Sequence, residues 1–385
     1  MHERDMVANG GGSAAGPPAG HSAGDWVWPR VLNTRRLSLG LQGGGAHGAF
    51  SWGVLDRLLE DGRIEIEAIS GTSAGAMNAV VAADGLAEGG PARAREKLER
   101  FWRTVSIGAL TSPVRRSAFD MLFSSWGLDH NPVLVMCDML TRVVSPYQFN
   151  PLNFNPLRDL LESTVDFDRV RRSQCVRLFV SATNVQTGHA RVFSGDEVTV
   201  DSVMASACLP YIFQAVEIEG EAYWDGGYMG NPVLSPFFRC ESRDVLLVQI
   251  NPIHRPDTPK TAREILDRVH EISFNSSLIK ELRFLDYVNR SIRRGEHADR
   301  GLKELLVHLV SGCVEFESLS PSTKLNGEWC FLTHLRDLGR RAAGEWLRVN
   351  FDRLGRESTL DLTPFRDGMV DFDAHNWPAT RPGAG

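Results

Sequence analysis

Residues 37–75 read LSLGLQGGGAHGAFSWGVLDRLLEDGRIEIEAISGTSAG. Two short apolar runs, Leu37 to Leu41 and Ile64 to Ser70, each end in a cluster of small residues, as buried strands do. Each cluster leads into a helix-compatible segment. After the first, Phe50, Val54, Leu55, Leu58 and Leu59 recur at helical spacing from Ala49 to Glu60, and Asp61-Gly62 closes the helix as a turn. After the second, Gly71 to Ala83 is rich in small residues that permit a helix. Strand, loop and helix repeated twice is the βαβ pattern of a parallel sheet. Because such crossovers are right-handed, both loops open at the same carboxyl edge. The expected fold is α/β, with a mostly parallel central sheet and helices on both faces.

The first loop is Gly43-Gly-Gly-Ala-His-Gly48. Its glycines let backbone N–H groups gather at a helix N-terminus, where negative charge is favoured. Gly43, Gly45 and Gly48 also satisfy G-x-G-x-x-G, but a dinucleotide site wants an acidic residue at the end of the next strand. Glu65 and Glu67 lie near the start and middle of that strand, which ends in Ser70-Gly71, so no cofactor is expected. The second loop, Gly71-Thr-Ser-Ala-Gly75, is a G-x-S-x-G. Chance alone supplies roughly 0.25 such matches in a chain of this composition, so position has to confirm it. Ser73 falls at the strand-to-helix turn that a nucleophile elbow requires; the alternative is a glycine-rich helix entry capped by serine. With both loops at one edge, amides of Gly44 and Gly45 face the Ser73 hydroxyl. That is the requirement of acyl transfer, a nucleophile beside fixed donors for an oxyanion.

A serine nucleophile needs a base. None of the 11 histidines has a telling local context. Asp225, in Tyr223-Trp-Asp-Gly-Gly-Tyr228, ends a short apolar run at a Gly-Gly turn, although an ordinary Asp-Gly turn has the same letters. A free aspartate near pKa ~3.9 is a feeble base at neutral pH, and burial raises it. Tyr223 and Trp224 are candidates for that shelter.

The remaining chain sets the background. Its 385 residues are 42% hydrophobic and 23% charged, which excludes a wholly disordered or fibrous protein. The net charge of −6 gives no electrostatic reason for a nucleic-acid partner, and the 37 arginines are interspersed with carboxylates. Cys137, Cys175, Cys208, Cys240, Cys313 and Cys330 form no CxxC pair and read as reduced core thiols, with no metal site. Asn9 to Gly24 is a Gly, Ala, Pro and Ser stretch without an apolar signal core, and no run is long enough to span a membrane. A flexible tail is expected over 1–34, fraying at the C-terminal end, and a cytoplasmic location. Met121, Leu122, Phe123 and Trp126 read as either a lid or a buried helix, and Trp26 and Trp28 remain unassigned. Thr258-Pro259 opens a helical pattern to about Arg294, Glu304 to Val310 has strand character, and Trp329 to Leu354 is helical.

The glycine loop, the G-x-S-x-G and the D-G-G, in that order between about Leu37 and Pro236, resemble the patatin-like phospholipases, a family of lipid acyl hydrolases. The resemblance implies a three-layer fold with a catalytic domain over 35–252 and a mainly helical C-terminal extension over 253–385. It implies a Ser–Asp dyad of Ser73 and Asp225, an oxyanion hole of Gly43, Gly44 and Gly45, and supporting roles for His47, Gly71, Gly75, Gly226 and Gly227. His47 stands where the family often has Arg or Lys. Ser181-Ala-Thr-Asn184 and Ala205-Ser-Ala-Cys-Leu-Pro210 fit more weakly. The implied partner is a lipid acyl ester, a phospholipid or lysophospholipid, met by transient contact with a membrane surface; no metal or cofactor is implied. An α/β-hydrolase with a Ser-Asp-His triad and a non-catalytic lipid-binding protein are the competing readings.

Overall fold

Strands β1 (Arg35–Leu41) and β2 (Ile64–Gly71) run parallel, joined through α1 (Gly48–Asp61), in a computed structural model of the chain. The structure describes residues 28, 34–110, 116, 120, 126–129, 131–141, 143–255, 258–296 and 302–366. The expected N-terminal tail, the C-terminal end, Trp26, Met121, Leu122 and Phe123 lie outside these residues, apart from Trp28 and Thr34. After β2 comes α2 (Ala74–Leu110), which runs well beyond the helix-compatible segment from Gly71 to Ala83. It bends where Gly90 takes φ 77° and Pro91 restarts the helix, because proline suits a first turn.

Further along are β3 (Arg177–Asn184), β4 (Ala190–Ser194), α3 (Val200–Ser206), β5 (Val216–Ile218), β6 (Glu221–Asp225) and β7 (Asp244–Gln249). The chain ends its described part with α4 (Ala262–Arg293), β8 (Leu306–Ser311) and α5 (Trp329–Asn350). Strands β8, β7, β1, β2 and β3 pair in that order, all parallel. β4 and β6 join β3 antiparallel, and β5 borders β6. The sheet is thus mixed but mostly parallel, as expected. The C-terminal part contributes β8 to this sheet as well as helices. α4 starts later than Thr258-Pro259 suggests, because Thr261 and Glu264 form a capping box: Thr261 Oγ1 accepts from the Glu264 N–H at 3.2 Å and Glu264 Oε2 accepts from the Thr261 N–H at 3.0 Å.

Alternation along β7 sorts the helices into two layers. Leu246 and Val248 join one core with α1, α2 and α5, whereas Val245 and Leu247 join a second with Leu278, Leu282 and Leu285 of α4. Helices therefore cover both faces. Trp126 packs on α5, its ring 5.1 Å from Phe331, and Trp28 packs against the larger core. Cysteines 137, 175, 208, 240 and 330 are free thiols, but only Cys208 and Cys240 are buried and Cys330 is exposed, because α5 turns it outward. Among the described residues no helix is long and apolar enough to cross a membrane.

α1 and α5 cross with their backbones nearly touching. A Cβ on Gly53 would run into the Arg336 carbonyl, and one on Gly339 into the Phe50 carbonyl. Replacing Gly339 with Leu should force the helices apart and cost about 1–3 kcal/mol or more of stability. A thermal melt reads this directly, and an unchanged Tm would refute the contact.

Candidate active site

The register along β3 brings distant residues together. β4 takes one edge of β3 over Phe179–Thr183, so β2 and β6 must both use the other edge. Gly71, ending β2, lies opposite Val180, and Asp225, ending β6, lies opposite Ala182. Two strands of opposite direction thus meet end to end, with Thr72-Ser73 and Asp225 at the junction.

Ser73 sits at φ 54°, a left-handed conformation rarely taken by a residue with a side chain and costing of order 1–3 kcal/mol. Surrounding bonds hold it there. Its N–H donates to Ser206 Oγ at 2.9 Å, the Gly75 N–H donates to the Thr72 carbonyl at 2.8 Å, and Thr72 Oγ1 donates to the Gly230 carbonyl at 2.6 Å. Thr72 Oγ1 also lies 2.6 Å from Ser181 Oγ. The two weaker sequence similarities thereby gain positions, since Ser206 and Ser181 both brace this turn. Gly71 and Gly75 close it: a Cβ on Gly75 would enter the carbonyls of Leu41 and Gln42.

Asp225 is 1% exposed. Burial pushes its carboxyl up to about 7, against the opposing pull of the Gly227 N–H and the Ser73 side chain, its hydrogen-bond partners. The Gly227 N–H donates to Asp225 Oδ1 at 2.7 Å. Of the two residues named as candidate shelter, Tyr223 is buried in the core, two positions along the strand, and Trp224 is half-buried. Further cover comes from α4, whose Phe274 lies so close to Gly227 that a Cβ there would enter its ring. Gly226 is likewise pressed on the Ser181 carbonyl. Neighbouring Cys208 has its thiol pushed up to about 12 by burial and then by Asp225, so it stays protonated and unreactive.

Above Ser73 lies the glycine loop, where a Cβ on Gly43 would come within 2.7 Å of Ser73 Cβ. One of the three amides expected to face an oxyanion is already engaged: the Gly43 N–H donates to Asn231 Oδ1 at 2.7 Å. The Gly43 carbonyl accepts from Asn251 Nδ2 at 2.8 Å. The N–H groups of Gly44 and Gly45 have no hydrogen-bond partner among the described residues. Gly45 has φ 58° and rests on the Lys324 carbonyl.

His47, for which the resemblance implies a supporting role, ends the 3₁₀ turn Gly45–His47 of the loop. Its ring turns into the C-terminal part, stacking on Phe316 at 4.7 Å with Nε2 2.7 Å from Thr323 Oγ1. Burial first, then Lys324 and Arg255, hold its pKa well below the usual histidine value. It is a neutral packing residue. Among the described residues no histidine hydrogen-bonds Ser73 or Asp225, and none of their clusters with Cys, Asp or Glu is arranged to hold a metal ion. Sequence reading missed Gln42, Asn231 and Asn251; each is polar yet buried, a property no local pattern announces.

A family model described as Patatin-like phospholipase matches residues 39–238, more than half of the chain. The chain belongs to the patatin-like phospholipase family, which makes it a member of a family of lipid acyl hydrolases. Among solved structures it is similar to VipD from Legionella pneumophila, with a TM-score of 0.37, 15% identity, and coverage of 83% of this chain and 67% of that one. It is also similar to the ExoU–SpcU complex of the Pseudomonas aeruginosa type III secretion system, with a TM-score of 0.33, 17% identity, and coverage of 83% and 52%. No curated protein matches.

The raised Asp225 carboxyl carries a stability consequence. Between its unfolded pKa near ~3.9 and its folded value of about 7, the native state binds the extra proton, so rising pH destabilises the protein across that window. Asp225→Asn removes the buried charge and keeps an acceptor for Gly227. It should melt higher than the native protein at pH 8, with the gap closing toward pH 5; equal melting temperatures at pH 8 would contradict the burial cost.

Proposed function

We propose that this chain hydrolyses fatty-acyl esters of phospholipids or lysophospholipids through a Ser73–Asp225 dyad. The observation that carries the reading is the junction itself: a conformationally strained serine beside a buried carboxyl with a pKa near neutrality. Asp225 takes the proton as Ser73 Oγ attacks the ester carbonyl, and Gly44 and Gly45 N–H groups receive the developing oxyanion. The alcohol or lysolipid leaves with a proton returned by Asp225, and water then attacks the acyl-enzyme by the same route. Gly43 orients the loop, its own N–H being taken by Asn231 Oδ1. The absence of a histidine bonded to either member among the described residues favours the dyad over a triad. Exposed Ile265, Leu266, Val269 and Ile272, on the stretch of α4 that leads to Phe274, support uptake of lipid at a membrane surface.

Ser73→Ala should abolish hydrolysis of a p-nitrophenyl acyl ester and labelling by a fluorophosphonate while leaving the melt intact. Wild-type turnover in that folded variant would refute the nucleophile. Asp225→Asn should be nearly as damaging, and no single His→Ala variant should match it.

The pH profile tests the base separately. Protonation of Asp225 as pH falls through about 7 removes the base, so kcat/KM should decline below that value and level off above it. A flat profile between pH 5 and 8 would argue against Asp225 as base. Activity should survive EDTA, and a requirement for added calcium would count against the mechanism.

A further inference from the structure

The glycine loop is held from beyond the family-matched segment. Lys324 lies in the 3₁₀ turn Pro321–Leu325, and its Nζ donates to Asn251 Oδ1 at 2.9 Å. Asn251, 1% exposed, passes the contact on, its Nδ2 donating to the Gly43 carbonyl at 2.8 Å. An ammonium group can only donate, so Lys324 fixes which end of the Asn251 amide is oxygen and which is nitrogen. Gln42 Oε1 supports the same orientation by accepting from Asn251 Nδ2 at 3.3 Å.

The Gly43 carbonyl and the Gly44 N–H belong to one planar trans peptide and point in opposite directions. A donor held on the carbonyl therefore fixes where the Gly44 N–H points, and polarises that N–H into a stronger donor. Lys324 is costly where it lies. Burial lowers its pKa; of the two carboxylates that act on it, Glu271 and Asp267, the stronger, Glu271, is shared with Arg255 and Arg268. Its carbonyl also abuts Gly45, so the turn braces the loop through backbone as well as side chain.

We propose that Lys324 is a positioning residue for acyl transfer, fixing through Asn251 the Gly43–Gly44 peptide so that the Gly44 N–H stays aimed and polarised toward the oxyanion. This rests on the dyad reading above. The relay acts on the transition state, where charge develops, and leaves ground-state ester binding unchanged.

The test is steady-state kinetics on full-length protein with a p-nitrophenyl acyl ester, each variant's folding checked by thermal melt. Lys324→Met should lower kcat by about 10- to 100-fold with KM nearly unchanged, less than the ~10²–10³-fold loss of a direct oxyanion donor. Lys324→Arg should recover part of the loss. The double variant Lys324→Met/Asn251→Ala should be no slower than Asn251→Ala alone, because both act through one path. Wild-type kcat in Lys324→Met, or fully additive losses in the double variant, would overturn the proposal. Should Lys324→Met fail to fold, Asn251→Asp keeps the partner for Lys324 while replacing the donor to Gly43 by an acceptor. A loss of kcat there supports the relay, and wild-type kcat overturns it. A wild-type protein with no Ser73-dependent turnover or labelling would show instead that the acyl-transfer reading itself had failed.

Discussion

One edge of β3 carries two strands in succession, and the site depends on that arrangement. β2 arrives parallel and stops at Gly71; β6 arrives antiparallel and stops at Asp225, two β3 positions further on. Neither strand can extend without colliding with the other. The sharp turn at Ser73 and the Gly-Gly turn after Asp225 follow from that obstruction. Because both ends are pinned by ladder hydrogen bonds, the separation of hydroxyl and carboxyl is set by rigid sheet geometry rather than by loop packing. A one-residue slip of β6 would turn Asp225 to the opposite face of the sheet.

Much of this was legible in the sequence because it is local. Strand, glycine loop and helix over residues 37–75 are written in nearest-neighbour preferences, and so are the two turns at Ser73 and Asp225. The long helix and the strand in the C-terminal part were visible as periodicity, within a few residues. Pairings over long separations were not. Nothing near Asn231, Asn251 or Lys324 signals that they converge on Gly43, because each is a single polar residue whose role depends on a distant backbone group. The surroundings of the His47 ring were hidden for the same reason. Its position in the loop suggested the site, whereas Phe316 and Thr323, far along the chain, supply the pocket that holds its ring.

The site concentrates unfavourable terms that the rest of the molecule offsets. A serine is held at positive φ, a carboxyl is kept from water, and an ammonium group is enclosed nearby. Each is a local cost, and each coincides with a group whose chemical or positioning role we propose. The opposing stability comes from apolar cores on both faces of the sheet. Favourable packing away from the site thereby sustains strain within it.

The position of β1 at the centre of the sheet has a kinetic consequence. Its pairing with β2 is nearly local, needing only the α1 crossover to form, whereas its pairing with β7 waits for most of the chain to be made. Until β7 docks, β1 leaves one row of peptide groups unpaired beside exposed leucines. Such an edge is a template for mispairing. The high sequence separation of the closing contact makes the last step of assembly entropically expensive and slow. During synthesis that edge of β1 stays without its ladder partner until β7 has been made.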